Sequence, residues 1–178
     1  MYPWRGEDPS VVLVLSHKKR LLVNAYYNRL RDGDGVLVPS IGDIDRVASQ
    51  PQGMLLREGM RLLGCGDAKK KILNGTEYVV LEVGEDRVVV QSAPEYGGGD
   101  PIVLNFEDAS RYLRLRYAMC YFTVQGRTFR DHILLLDKQS PRFSVRHLIV
   151  GLSRVTAGRL VHIPTRTQEQ KFLENLGA

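Results

Sequence analysis

The sequence predicts an α/β fold, a buried parallel sheet with covering helices, interrupted by an inserted β unit. Three observations carry this. Val11-Val12-Leu13-Val14-Leu15 is a continuous apolar run followed by a helix start, the pattern of a strand covered on both faces. Residues 54–116 then change to short strands separated by turn signals. From Tyr117 the alternation of helix and strand returns, around the apolar run Ile133-Leu134-Leu135-Leu136. Residues 1–53 and 117–178 are therefore expected to form one discontinuous domain, and residues 54–116 the insertion.

Residues 1–9 read as an opening segment rich in Pro and Gly. After the first strand, Ser16 suits a helix N-cap because its hydroxyl can accept a first-turn N–H. In the helix that follows, Leu21, Leu22, Ala25 and Tyr26 are spaced to share one face. Arg31-Asp32-Gly33-Asp34-Gly35 ends it, with Gly at the stop. Residues 38–53 read as a loop. Asn74-Gly75 is a turn dipeptide, and Gly84-Glu85-Asp86 between Glu77–Val83 and Arg87–Gln91 signals a hairpin. Tyr96-Gly97-Gly98-Gly99-Asp100 is a loop, with further strands expected at Ile102–Phe106 and Tyr112–Leu115. Short strands with turns between them suggest a small β-barrel. Tyr117–Val124 reads as a short helix stopped by Gly126. Ser144–Val155 has a helical pattern with Val145, Leu148, Ile149 and Leu152 on one side. Leu160–Ile163 reads as a strand closed by Pro164, and Thr167–Leu176 as a polar terminal helix.

Composition excludes several classes. No apolar run is long enough to cross a bilayer as a helix. The opening residues lack a basic segment followed by an apolar core, so no signal peptide and an intracellular, soluble setting are expected. Cys65 and Cys120 fit no zinc or redox spacing and are expected to be reduced and buried. The net charge of +5 is unevenly spread. Residues 1–108 hold 13 Lys and Arg against 16 Asp and Glu; residues 109–178 hold 12 against 4. A basic segment on a balanced protein suits a polyanion such as nucleic acid or a nucleotide phosphate, and equally suits a solvated surface.

Three stretches carry candidate chemistry. Ser16-His17-Lys18-Lys19-Arg20, running on to Asn24, puts cations where a buried strand ends and a helix begins, the edge at which open α/β sheets bind ligands. Gln125-Gly126-Arg127-Thr128 supplies donors and close backbone approach at a turn, suited to a nucleic-acid phosphate. Ser153-Arg154 ends a helix, and an Arg held rigidly there can reach a transferring phosphate.

Together these stretches resemble the C-terminal motor domain of superfamily-1 helicases of the Pif/RecD type. Ser16 to Asn24 is similar to motif IV, and Lys71-Ile72-Leu73-Asn74-Gly75-Thr76 to the Asn-Gly stretch of an inserted barrel. Phe122-Thr123-Val124-Gln125-Gly126-Arg127-Thr128 resembles the family's "His-Lys-Ser-Gln-Gly-x-Thr", and Ile149-Val150-Gly151-Leu152-Ser153-Arg154 its "Tyr-Val-Ala-Leu-Ser-Arg". The resemblance covers nearly the whole chain, with the motifs in family order. It implies a RecA-like half-motor domain interrupted by a small SH3-like β-barrel. Arg154 would be the arginine finger toward ATP, with Arg20 and Gly126 further contacts to its phosphates. Ser16, His17, Asn24, Gln125, Arg127 and Thr128, with Lys70 and Lys71 on the barrel, would touch single-stranded or forked DNA. Both Arg20 and Arg154 would stand exposed on one edge of the parallel sheet.

The sequence also departs from the family pattern. Phe122 stands in place of His, Ile149 of Tyr and Gly151 of Ala. No Gly-x-x-x-x-Gly-Lys-Ser/Thr occurs, so the loop that cradles ATP phosphates is missing. The resemblance thus implies half of an ATP-dependent helicase, with ATP and Mg2+ bound mainly by an N-terminal motor domain supplied in cis or in trans. The alternative is a degenerate nucleic-acid-binding module without ATPase activity.

Overall fold

The computed structural model describes residues 9–31, 34–40, 52–65 and 72–176. The chain separates into two compact units, residues 1–26 with 117–178, and residues 27–116. The first division falls inside a helix, well ahead of the expected residue 54.

The first unit holds a four-stranded sheet of β1 (Val11–Val14), β9 (Ala118–Cys120), β10 (Ile133–Leu135) and β11 (Val161–His162), in the order β11-β10-β1-β9 and parallel throughout. Every residue of β1 is fully buried, as an apolar run without alternation requires when both faces are covered. Helix α1 (His17–Arg31) follows β1. The Ser16 hydroxyl accepts the Lys19 N–H at 3.2 Å, so Ser16 is the expected cap. The later helices are α3 (Val145–Leu152) and α4 (Arg166–Asn175), the latter capped reciprocally by Thr165 and Gln168.

Two expectations are corrected in this unit. Residues 117–124 are not a helix: they form β9 and then a 3-10 turn over Tyr121–Val124. Ala118 and Met119 favour helix locally, but pairing with β1 through Val12↔Ala118 and Leu13↔Met119 overrides that preference. In α1 the expected apolar face, Leu21, Leu22, Ala25 and Tyr26, is only half-buried. The buried positions within this unit are Arg20, Val23 and Asn24. Asn24 is polar there because it bonds the Ala118 backbone.

The second unit contains β2 (Val36–Val38) paired with β3 (Met54–Leu56), and a five-stranded antiparallel sheet in the order β7-β6-β5-β4-β8. The latter comprises β4 (Arg61–Gly64), β5 (Glu77–Val83), β6 (Arg87–Ser92), β7 (Ile102–Asn105) and β8 (Leu113–Leu115). Its hairpin and Asn-Gly turn form where expected: β5 pairs with β6, and the Thr76 N–H donates to Leu73 O at 3.2 Å. Helix α2 (Phe106–Tyr112) replaces the expected ends of two strands. Its start is set by Asn105, whose side chain accepts the Asp108 N–H at 2.7 Å. Among the described residues this sheet is open, β7 and β8 being unpaired with each other, so the expected closed barrel is corrected to a half-barrel.

Candidate nucleotide and nucleic-acid interface

At the C-terminal edge of the parallel sheet, two residues beyond β10, Asp137 is buried and has a φ of 67°. Asp is one of the few side chains that tolerate this left-handed geometry. It turns the carboxylate back on the sheet, where Oδ2 accepts the Leu15 N–H at 2.7 Å and Oδ1 pairs with Lys19. The Asp137 N–H donates to Glu169 Oε1 of α4 at 2.8 Å, and Lys19 Nζ stands 3.8 Å from that same oxygen. Burial raises the Glu169 pKa, and the Asp137 charge adds to the rise; the Asp137 N–H and Lys19 pull the other way. Sequence reasoning missed this knot. Its one sequence signal was Asp137 directly after the apolar run, while the participation of Lys19 and Glu169 appears only once three elements have assembled.

The basic cluster of α1 divides in this setting. Ser16 and Lys18 are exposed and His17 half-buried. Burial first, then the Arg20 charge, lower the His17 pKa from its ordinary value. Cys120 Sγ lies 3.8 Å from His17 Nδ1, its thiol pKa raised by burial and only partly offset by Arg20. Cys65 and Cys120 form no disulfide; Cys120 is buried, whereas Cys65 is only half-buried.

Two site expectations fail here. Arg20 is 7% exposed, not on an open rim. Asn24 is fully buried and spent on the backbone: its amide donates to Ala118 O at 3.3 Å and its oxygen accepts the Ala118 N–H at 2.8 Å. Ala118 belongs to the edge strand β9, so Asn24 satisfies backbone groups that no further strand can reach. Asn28 does the same in the second unit, bonding Leu55 N–H and O at 2.8 Å each.

The second and third motifs meet. Gly126 has a φ of 82° with open space where a Cβ would stand, giving close approach to its backbone. Gln125 and Thr128 are exposed and Arg127 is half-buried. Arg154, half-buried at the end of α3, donates through Nη1 to Arg127 O at 3.3 Å, and through Nε and Nη2 to Ser153 Oγ at 3.2 and 3.0 Å. Its carbonyl accepts the Phe129 N–H at 2.6 Å, and Phe129 bridges to Val155 as a parallel pair. Among the described residues no carboxylate pairs with Arg154. A guanidinium held by neutral oxygens keeps its charge uncompensated, which suits an incoming anion. The expectation that both arginines stand exposed is corrected for Arg20, which is 7% exposed, while Arg154 is half-buried; the second and third motifs meet through the Arg154–Arg127 bond.

Lys70 and Lys71 lie outside the described residues. Among the described residues no group of three His, Cys, Asp or Glu is placed to hold a metal ion, and no helix is long and apolar enough to cross a membrane.

Fold and site together define an α/β domain with a parallel sheet and an anion-suited turn beside a helix-end arginine. No family model and no curated protein matches the chain. Among solved structures it is similar to Pif1 helicases. One, described as unwinding DNA at forked dsDNA by two coordinating Pif1 helicases, shares 19% identity at a TM-score of 0.64, over 94% of this chain and 42% of its own. Pif1 helicase from Candida albicans shares 17% at 0.63, over 97% and 50%. Pif1 helicase from Bacteroides, in complex with ADP-AlF3 and ssDNA, shares 19% at 0.57, over 89% and 41%. The chain has the fold of part of these proteins and spans at most half of their length.

Proposed function

We propose that this chain is the C-terminal half of an ATP-dependent DNA helicase. On this reading the first unit is a RecA-like second motor domain. Arg154 reaches the phosphates of ATP held by an N-terminal motor domain in the same polypeptide or in a partner, and the Gln125–Thr128 turn holds single-stranded or forked DNA. The observation that carries it is the bond from Arg154 Nη1 to Arg127 O. It ties the residue that would sense the nucleotide to the turn that would touch the strand, as a motor coupling hydrolysis to translocation needs. Similarity of fold to Pif1 helicases, one of them in complex with ADP-AlF3 and ssDNA, supports the same reading.

ATP with Mg2+, when bound, supplies the phosphoanhydride bond whose cleavage drives movement. The residues here fit one edge of such a ligand: a half-exposed guanidinium without a carboxylate partner and a glycine turn open to backbone approach. They do not form a phosphate cradle, since the Gly-x-x-x-x-Gly-Lys-Ser/Thr loop is missing. The chain alone is then inert toward ATP. In the same reading, residues 54–116 are an SH3-like module guiding the strand, with Lys70 and Lys71 just ahead of its Asn74-Gly75 turn, and the protein works inside the cell.

Reconstitution tests this. The chain is mixed with a separately purified first motor domain that carries a P-loop, and ATP turnover is followed with and without single-stranded DNA. Turnover well above the sum of the separate components, and raised further by the strand, is expected. DNA binding without any gain in turnover would instead make the chain a binding module only.

A further inference from the structure

Phe122 interrupts a motif that in related helicases carries a polar side chain at this position, and the structure leaves its ring 57% exposed. It lines a cleft of about 370 Å3 between the 3-10 turn and α3, within the ~300–1,000 Å3 typical of ligand pockets. Gln125, Ser144, Arg146 and Val150 share that cleft: an amide, a hydroxyl, a guanidinium and one aliphatic side chain. Among the described residues the Gln125 side chain has no hydrogen-bond partner.

The cleft is preformed. Tyr121 is 2% exposed, its hydroxyl donates to Leu136 O at 2.8 Å, and its ring meets Phe143 and His147 edge-on at 5.6 and 5.4 Å. His147 Nδ1 accepts the Ser144 N–H at 3.0 Å, holding the first turn of α3. Phe122 is steadied by His17, edge-on at 5.5 Å. Along the chain, residues 138–168 contain six Lys and Arg and no Asp or Glu, while the carboxylates that bracket this stretch, Asp137 and Glu169, add to the burial that raises the pKa of Tyr121 at the base of the cleft. The Ser144 hydroxyl is already bonded to His147 Nδ1 at 2.9 Å, but an apolar protein segment in this cleft would strip water from Gln125 and Arg146 without replacing it. A nucleotide offers each of them a partner and offers Phe122 a π face.

We infer that Phe122 is a stacking platform for one base of a single-stranded nucleic acid, with the Arg146 guanidinium beside it for the neighbouring phosphate. Stacking is indifferent to base identity, so this subsite tolerates any sequence. The inference rests on the strand-binding reading above and deepens it.

The test is fluorescence anisotropy with a labelled oligo-dT and with an all-abasic strand of equal length, each over a salt series. Phe122→Ala should weaken oligo-dT binding about tenfold, leave abasic binding unchanged and keep the salt slope. Phe122→Trp should restore the affinity. Arg146→Gln should weaken both strands and reduce the slope by about one. If Phe122→Ala spares oligo-dT or weakens both strands equally, the platform is overturned and the cleft becomes a candidate protein-docking surface. If the wild-type chain binds neither strand at low salt, strand binding itself falls. The two failures are thus distinguishable.

Discussion

Lys19 answers two carboxylates at once, pairing with Asp137 while Glu169 Oε1 stands 3.8 Å away. Removing its charge leaves the buried Asp137 with the Leu15 N–H but no cation. Lys19→Met should therefore cost about 3 kcal/mol, the lower end for a broken buried pair because Lys19 is partly exposed; the shift in urea midpoint measures it. Glu169 gives a pH signature. Its folded pKa is raised, so its contribution is fully present below the unfolded value of about 4.5 and is lost as pH rises through the folded value. Glu169→Gln keeps an oxygen acceptor for the Asp137 N–H and should flatten that part of the stability–pH curve. An unchanged curve would show that the burial of Glu169 has no thermodynamic weight. Residue identity alone did not distinguish structural polar groups from functional ones. Arg20 and Asn24 have the composition of a ligand site, yet one is buried and the other completes a strand edge.

At the scale of elements, β1, α1, β10 and the β5-β6 hairpin were legible because their apolar periods and turn residues agree with the fold. The strand β9 was not, since three residues carry no period and only pairing with β1 defines them. Helix α3 was legible as a helix but not in orientation. Its apolar stripe lies largely outside, with Val145 70%, Ile149 58% and Leu152 46% exposed. Periodicity locates a face without saying what covers it. Gly151 is the residue that meets the sheet: a Cβ there would lie 2.8 Å from the Leu135 methyls. The role of Asn24 is testable at this scale. Asn24→Ala strands the N–H and C=O of Ala118, at about 1–3 kcal/mol for each buried group left unpaired, and should loosen β9 first. Hydrogen exchange at Met119 and Cys120 reads this directly. Protection equal to wild type would mean that water replaces the amide without cost.

Across the whole molecule, charge is unevenly spread and the chain matches only part of its structural neighbours. The acidic excess lies in residues 1–108 and the basic excess in 109–178, and the chain spans 41–50% of the Pif1 helicases it resembles. Motif order along the sequence made the fold readable even at 17–19% identity. The site was readable only in part: the Gln125–Thr128 turn and Arg154 do meet, while Arg20, expected to be exposed, is buried, because linear spacing cannot report what packs over a helix turn. Central to the proposed function is that Arg154 would act on a nucleotide held elsewhere. Single-turnover ATP hydrolysis by the reconstituted pair, comparing wild type with Arg154→Ala at saturating ATP and DNA, addresses it most directly. A fall of roughly 10³–10⁵ in rate with DNA affinity preserved is the expected result; an unchanged rate would contradict the assignment.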